Sequence, residues 1–380
     1  MRIAILGTKG IPNHYGGFEQ FAEYLSCGLT ERGHEVTVYA PHYHSFQGKE
    51  IKKVKIKHFY CPERYLGGAA HYIYDHLCLK DAIQSNFDII YEAGYGSCAF
   101  AIRYFKRKMR TPVIITNMDG MEWKRSKWNS MVQYITKRAE SIAVKHSDFL
   151  IADNMGIKSY FEKKYGVVPV FLPYGAEVVE RFDSGILEKY SLKPKEYFLL
   201  IARLEPENNI ETIIKGFINS HSLIPLIIIG GLTTKNAKKL VAYANQNPKI
   251  IFLGGIYDIH AVNNLRHFAK AYLHGHSVGG TNPSLLEAMA CECFIIAHDN
   301  EFNRSVLENN GAFFSNDAAL QEILMNLEDM LARNENAFKQ KNIELIKTKY
   351  DWNLIIGSHE KFFESVLNRS KEGISTLAYP

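Results

Sequence analysis

The sequence is poor in the features that mark several protein classes. Its six cysteines, Cys27, Cys61, Cys78, Cys98, Cys291 and Cys293, lack the paired spacing of a zinc site. Cys291-x-Cys293 closes a helical pattern and reads as packing. No apolar run reaches the roughly 20 residues that span a bilayer. The opening MRIAILGTKG is a strand broken early by a glycine loop, which is too short for a signal peptide. These absences lead us to expect a cytoplasmic chain with reduced thiols. A formal charge of +5 is too mild to imply nucleic acid, although a local basic face can still meet anionic lipid. The first glycine loop is not G-x-G-x-x-G, and no acid closes the second strand near Tyr39, which argues against a dinucleotide-binding oxidoreductase.

What is present is an ordinary globular composition, 46% hydrophobic and 22% charged, in a chain too long for one core. Strand patterns at residues 3–6, 36–40, 54–58, 87–91, 112–116, 149–152 and 170–172 alternate with helical patterns. Pro173-Tyr-Gly175 ends that series, and residues 176–195 read as a linker. The rhythm restarts at Tyr197–Ala202 and continues at 226–229, 250–253, 271–274 and 294–297. Amphipathic helices follow at 316–331 and 337–347, and a last helix follows Trp352. Strand–helix alternation in both halves predicts α/β architecture: two doubly wound parallel-sheet, Rossmann-like domains facing each other across a cleft. The expected division is 1–174 and 175–351, with 352–380 returning to the first domain.

The densest chemistry lies in HSVGGTNPSLLEAMACEC, residues 276–293. Asn282 suits a helix N-cap and Pro283 the first helical position. A helix start beside a glycine loop favours anions, and Glu287, one turn inside, can accept from sugar hydroxyls. A capped crossover helix with a solvated Glu287 explains the same stretch. In ARLEPENNIE, Arg203 follows a strand directly, where it can bind phosphate bidentately or pair with Glu205 or Glu207. Asn208 or Asn209 caps the next helix. Gly16-Gly17 opens a second anion-type helix start, with Glu19 in its first turn as an acceptable surface acid. Asp119, Glu122, Trp123, Lys124, Arg125 and Trp128 gather just past a strand's carboxyl end, where open α/β sheets bind ligands. Arg103–Arg110, RYFKRKMR, is a dense cationic run with aromatics.

Four stretches, GTKGIPNHYGGFE, DGMEWKRSKW, ARLEPENNIE and HGHSVGGTNPSLLEAMAC, occur in this order across both halves. With them the chain resembles the GT-B glycosyltransferases of family 4, most closely the bacterial subgroup containing rhamnosyltransferases of polysaccharide assembly. The resemblance implies a GT-B fold, with an acceptor-binding first domain and a nucleotide-sugar donor held mainly by the second. It implies that Arg203 binds the diphosphate together with the amides around Gly280, Thr281, Asn282, Ser284 and Leu285. It further implies that Glu287 holds the ribose, that Gly16 and Gly17 approach the donor phosphates, and that Tyr257 lies near the base. Asp119 and Arg203 are the residues expected at the reaction itself, and Glu122, Trp123, Lys124 and Arg125 those on the acceptor side. Three positions depart from the family. Gly279 stands where most relatives have a glutamate, Asn208 where many have a lysine, and Asp119 where a histidine is frequent.

The resemblance implies retention at the anomeric carbon. No D-x-D-type pair sits in a donor loop, so no metal or other cofactor is expected. The expected partners are a nucleotide sugar, with dTDP-rhamnose favoured over UDP- or GDP-linked donors, and a lipid-diphosphate-linked sugar acceptor. The expected place of work is the inner face of the cytoplasmic membrane, with no nucleic acid involved. A GT-B sugar-nucleotide epimerase and a two-lobed, non-catalytic sugar-binding protein are the competing readings.

Overall fold

The computed structural model describes residues 1–14, 16–125 and 128–371. It divides into two compact units. Among the described residues the first holds Met1–Lys124, Trp128–Tyr174 and the helix Trp352–Lys371; the second is Gly175–Asp351 with Arg125. Each is an α/β layer structure around one sheet.

The first unit's strands are β1 (Arg2–Leu6), β2 (Glu35–Pro41), β3 (Glu50–Ile51), β4 (Val54–Phe59), β5 (Ile89–Glu92), β6 (Val113–Asn117), β7 (Phe149–Ala152) and β8 (Val170–Phe171). They lie in the order β3-β4-β2-β1-β5-β6-β7-β8. All neighbours pair parallel except β3, which meets β4 antiparallel. Burial on both faces explains why β1 and β5 read as continuous apolar runs rather than alternating ones. The two-residue β3 is too short to leave a sequence pattern and was not anticipated.

The second unit's strands are β9 (Phe198–Ile201), β10 (Leu226–Ile229), β11 (Ile250–Gly254), β12 (Ala271–His274), β13 (Ile295–His298) and β14 (Ala312–Phe314). Their order is β11-β10-β9-β12-β13-β14, all parallel. The helical reading of 316–347 needs correction. Helices run Asp317–Met325 and Leu327–Leu345, so the break falls at Asn326. Asn326 spends its side chain on the Glu322 carbonyl, at 3.0 Å, where the first helix ends.

Strand order reverses between β1 and β5 in the first unit and between β9 and β12 in the second. At such a switch point the neighbouring loops leave in opposite directions and open a crevice at the strands' carboxyl ends. The loops after Leu6 and Glu92 flank the first crevice, and those after Ile201 and His274 flank the second.

The last helix, Trp352–Lys371, packs on Gly17–Glu31 within the first unit. Trp352 stacks flat on Tyr24 at 4.5 Å, and Arg32 and His34 both reach Glu360, at 2.9 and 2.8 Å. No described helix is long and apolar enough to cross a membrane.

Candidate active site

The second unit's switch point collects most of the residues singled out from sequence. Arg203 follows β9, is exposed, and pairs with no carboxylate among the described residues. The alternative partner Glu207 is instead buried and holds Arg125 at 3.5 Å. Asn208 is used at both ends of its amide. Its Nδ2 donates to the Arg203 carbonyl at 2.7 Å, and its Oδ1 accepts from His276 Nδ1 at 2.9 Å. Asn209 does not cap the helix Ile210–Asn219 through its side chain, which donates to the Gly275 carbonyl at 2.8 Å. A Cβ on Gly275 would lie 2.0 Å from the Asn208 carbonyl oxygen, so only glycine lets the two loops meet. Ser277 completes the join with two bonds to the Glu207 carbonyl.

His276 is half-buried, and its loss of solvent is the main cause that pushes its pKa well below the ordinary range. His274, Arg125, Arg203 and His298 add to the effect. The ring is therefore neutral, donates from Nδ1, and leaves the two guanidiniums as the loops' positive charge. Gly279 has φ +134°, a conformation that strains any L side chain. An added Cβ would also sit 3.1 Å from His276 Nε2.

The helix Pro283–Ala290 begins as its sequence indicates, with Asn282 Oδ1 accepting from Ser284 N at 2.9 Å. This capping alters the expected anion site. The Ser284 and Leu285 amides both donate to Asn282, so they are already bonded when a ligand arrives. Gly280 and Thr281 are buried in the preceding loop. Glu287 is not the solvated acid of the simpler reading. Arg266, 2% exposed, forms an ion pair with Glu287, whose own side chain is 19% exposed. The same guanidinium reaches Ser284 Oγ at 3.2 Å and Asn263 Oδ1 at 3.1 Å. Tyr272 joins Ser284 to the end of β9, through bonds of 2.7 Å to Ser284 Oγ and 3.3 Å to the Ile201 carbonyl. Two bonded sets therefore stand behind the strand ends: Asn208 ties the Arg203 carbonyl to His276, and Tyr272, Ser284 and Arg266 tie the Ile201 carbonyl to Glu287. Tyr257 joins neither: it is 84% exposed beyond β11, with no hydrogen bond or ring contact to these residues among those described.

Sequence reasoning missed Arg266. The signal was present, because Val262, Leu265, Arg266 and Ala269 share one buried helical face. An arginine there requires a buried anionic partner.

In the first unit, Gly16 is the N-cap of Gly17–Glu31 and makes no side-chain cap. Glu19 is 4% exposed, which corrects its reading as a surface acid; it accepts from Lys9 N at 2.8 Å, and Glu23 accepts from Asn13 N at 2.8 Å. Two carboxylates therefore pin the glycine loop to its helix. Under that loop lies Glu92, fully buried at the end of β5, with Asp75 buried nearby. Burial above all, and each other's charge for Glu92, push both carboxyls upward, Asp75 to about 7. An acid closing an apolar strand was the unused sequence signal for Glu92.

Asp119 is half-buried past the end of β6 and accepts from Tyr174 Oη at 3.4 Å. Glu122–Lys124 form one 3₁₀ turn. The Trp123 indole donates at 2.8 Å to Glu140, which is wholly buried and also accepts from Tyr160, Lys164 and Tyr165. Ammoniums of Lys124, Lys137 and Lys164 lie 4.9–5.6 Å from the Trp123 ring. Trp123 thus anchors its segment. Among the described residues no cluster of side chains could hold a metal ion.

With this geometry in place, two family models match the chain. Residues 186–345 match the one described as Glycosyl transferases group 1. The protein is a glycosyltransferase. Residues 1–177 of this glycosyltransferase match a domain of unknown function, DUF1972. No curated protein sequence matches the chain. Among solved structures, sucrose-phosphate synthase from Thermosynechococcus elongatus is similar at TM-score 0.75 and 14% identity, covering 97% of this chain and 99% of that one. Anabaena HepE in complex with UDP-glucose aligns at TM-score 0.72 and 14% identity, over 96% of this chain and 99% of that one. A glycosyltransferase from Rickettsia africae gives 0.70 and 15%, over 96% and 98%. At such identities the likeness concerns the fold, which is the α/β, two-sheet architecture of GT-B glycosyltransferases.

Proposed function

We propose that the protein is a retaining hexosyltransferase that moves L-rhamnose from dTDP-rhamnose onto a lipid-linked or growing glycan in cell-surface polysaccharide synthesis. The observation that carries the donor half is Arg203 at the second switch point, exposed, without a carboxylate partner among the described residues, and directly after the strand β9 whose Ile201 carbonyl is tied through Tyr272 to Ser284. A guanidinium so placed matches a diphosphate. Glu287, oriented by Arg266, takes the ribose hydroxyls, and Gly279 leaves room where relatives place an acid. Gly16 and Gly17 approach the phosphates, while Asn208 holds the Arg203 loop in place. Tyr257, Gly280 and Thr281 complete the donor set.

In the reaction the bond from the anomeric carbon to the diphosphate oxygen breaks, and the transition state is oxocarbenium-like. Negative charge grows on the leaving diphosphate, where Arg203 and the Pro283–Ala290 helix dipole stabilise it. The acceptor oxygen attacks the same face and passes its proton to the departing phosphate. Asp119 steadies the cation or orients the acceptor hydroxyl. The nucleotide sugar is a substrate, and the mechanism assigns no role to a metal.

The acceptor half rests on the basic and aromatic segments of the first unit, which suit the inner face of the cytoplasmic membrane. The rhamnose assignment rests on the likeness of the four motifs. A UDP-linked donor is the second reading, favoured by the structural neighbour HepE, which is in complex with UDP-glucose. The test is a nucleotide-sugar panel with lipid-diphosphate acceptors read by mass spectrometry. Product with dTDP-rhamnose supports the proposal, and Arg203→Ala should lower turnover by about 10²-fold or more. Release of no nucleoside diphosphate from any donor overturns it.

A further inference from the structure

The first unit carries a cavity of about 570 Å³ that none of the functional assignments uses, lined by His42, Tyr43, Tyr60, Glu63, Arg64 and Tyr65 among others. It opens where β2 and β4 end, at the carboxyl edge of the sheet. Three rings form one wall. His42 lies 5.1 Å from Tyr60, tilted by 32°, and 5.3 Å from Tyr43, edge-on. Tyr65 stands on the lip, 77% exposed. So much exposed aromatic surface in one hollow has no packing purpose, and tyrosine supplies contact area at little cost in side-chain entropy.

The polar groups are fixed. The Glu63 carboxylate accepts from Lys9 Nζ at 2.8 Å and from the Tyr43 hydroxyl. Burial pushes its pKa up, but those two partners outweigh it and hold the group below the usual range, so it stays an anion. His42 Nδ1 accepts from the Cys61 amide at 3.1 Å, which leaves Nε2 as the donor of a neutral ring. Next to this cavity lies the glycine loop, with His14 and His44 rings 6.0 Å apart and Lys9 reaching Glu63 from within the loop.

We propose that this cavity is a carbohydrate subsite that holds a sugar ring of the acceptor glycan. A pyranose offers what the walls accept. Its C–H faces lie against tyrosine rings, and its hydroxyls donate to Glu63 and accept from His42. The other occupants fit worse. An acyl chain would desolvate a fixed carboxylate without giving it a hydrogen bond. A phosphate would find Arg64 in the lining, but it has no C–H face for the tyrosine rings, cannot donate to Glu63, and would compete with that carboxylate for Lys9. The assignment deepens the acceptor half of the proposed function and takes from it that the acceptor is a glycan.

The test is saturation-transfer NMR on the whole protein with cellobiose, lactose, maltose and octyl glucoside as probes. Transfer to sugar-ring protons is expected, and Tyr60→Ala/Tyr65→Ala should weaken it about tenfold, since two exposed rings are lost. Glu63→Gln, which keeps the shape, should weaken it as well. Absence of transfer to every probe, transfer confined to the octyl chain, or a double variant that binds like the wild type would each overturn the assignment. Nucleoside diphosphate release from added dTDP-rhamnose and UDP-glucose is measured on the same protein preparations. If it is absent while ring transfer persists, the donor reading fails and the subsite stands; release that persists without ring transfer has the opposite meaning.

Discussion

Replacing Arg266 with methionine probes the link between the fold of the second unit and its site. The guanidinium is 2% exposed and serves Asn263, Ser284 and Glu287 together. Removing one partner of a buried pair costs about 3–5 kcal/mol, because the other is left charged and poorly solvated. Glu287 keeps 19% of its side-chain surface in water, which places the loss near the lower limit, about 3 kcal/mol. Glu287→Gln, which removes the charge but keeps an acceptor, should cost about 2 kcal/mol. The double variant should lose about 3 kcal/mol rather than the sum of the two, a coupling of about 2 kcal/mol. Urea unfolding followed by far-UV circular dichroism reads this as a midpoint lowered by about 1.5 M for Arg266→Met, given an ordinary slope for a domain of this size. All three tryptophans, Trp123, Trp128 and Trp352, belong to the first unit, so their fluorescence is a separate reporter. A shift below about 0.3 M would put the pair in the class of surface ion pairs and refute the reasoning.

Acidification should act on the two units with different signs. His274 and His359 are fully buried and pushed down by burial, to about 3 and about 4. Their unfolded forms take up protons below about pH 6.5 while the folded forms do not, so stability present above that pH is lost as it falls, about 2 kcal/mol per histidine at pH 5. In the first unit Asp75 and Glu92 oppose His359, because carboxyls with raised folded values gain protons, and stability, as pH drops. The dichroism midpoint should therefore fall between pH 7 and 5 while the tryptophan midpoint holds or rises, and parallel falls would refute the assignment. Gly28→Ala should weaken the packing of the last helix, since its Cβ would lie 2.4 Å from Ile356 Cδ1. Overpacking of about 1–3 kcal/mol then outweighs the roughly 1 kcal/mol gained from helix propensity. Thermal unfolding by tryptophan fluorescence checks this, and an unchanged or higher midpoint would count against it.

Much of the fold was legible because its signals are local. β12 coincides with the strand read at 271–274, and Asn282-Pro283 starts its helix where expected, since a cap and a proline act within one turn. β14 escaped notice because three residues after a glycine carry no period. The candidate site was legible in its loops and not in its supports. Arg203 and Glu287 stand beside recognisable turns, whereas Arg266 and Glu140 act through helices distant in sequence. A charge inside an apolar period shows that a partner exists without saying which. Asn208 shows a further limit: its position led us to expect a donor-binding residue, but both ends of its amide are spent on the protein.

The first unit receives its last helix only from the end of the chain. Trp352 and Ile356 cover the face of Gly17–Glu31 that carries Tyr24 and Gly28. During synthesis that face waits, uncovered, while the whole of residues 175–351 is made. The second unit can therefore finish folding while the first is still open, although its synthesis starts later. A ribosome-stalled chain ending near residue 351 should expose an apolar groove for a chaperone, and a truncation there should damage the domain at the opposite end of the sequence.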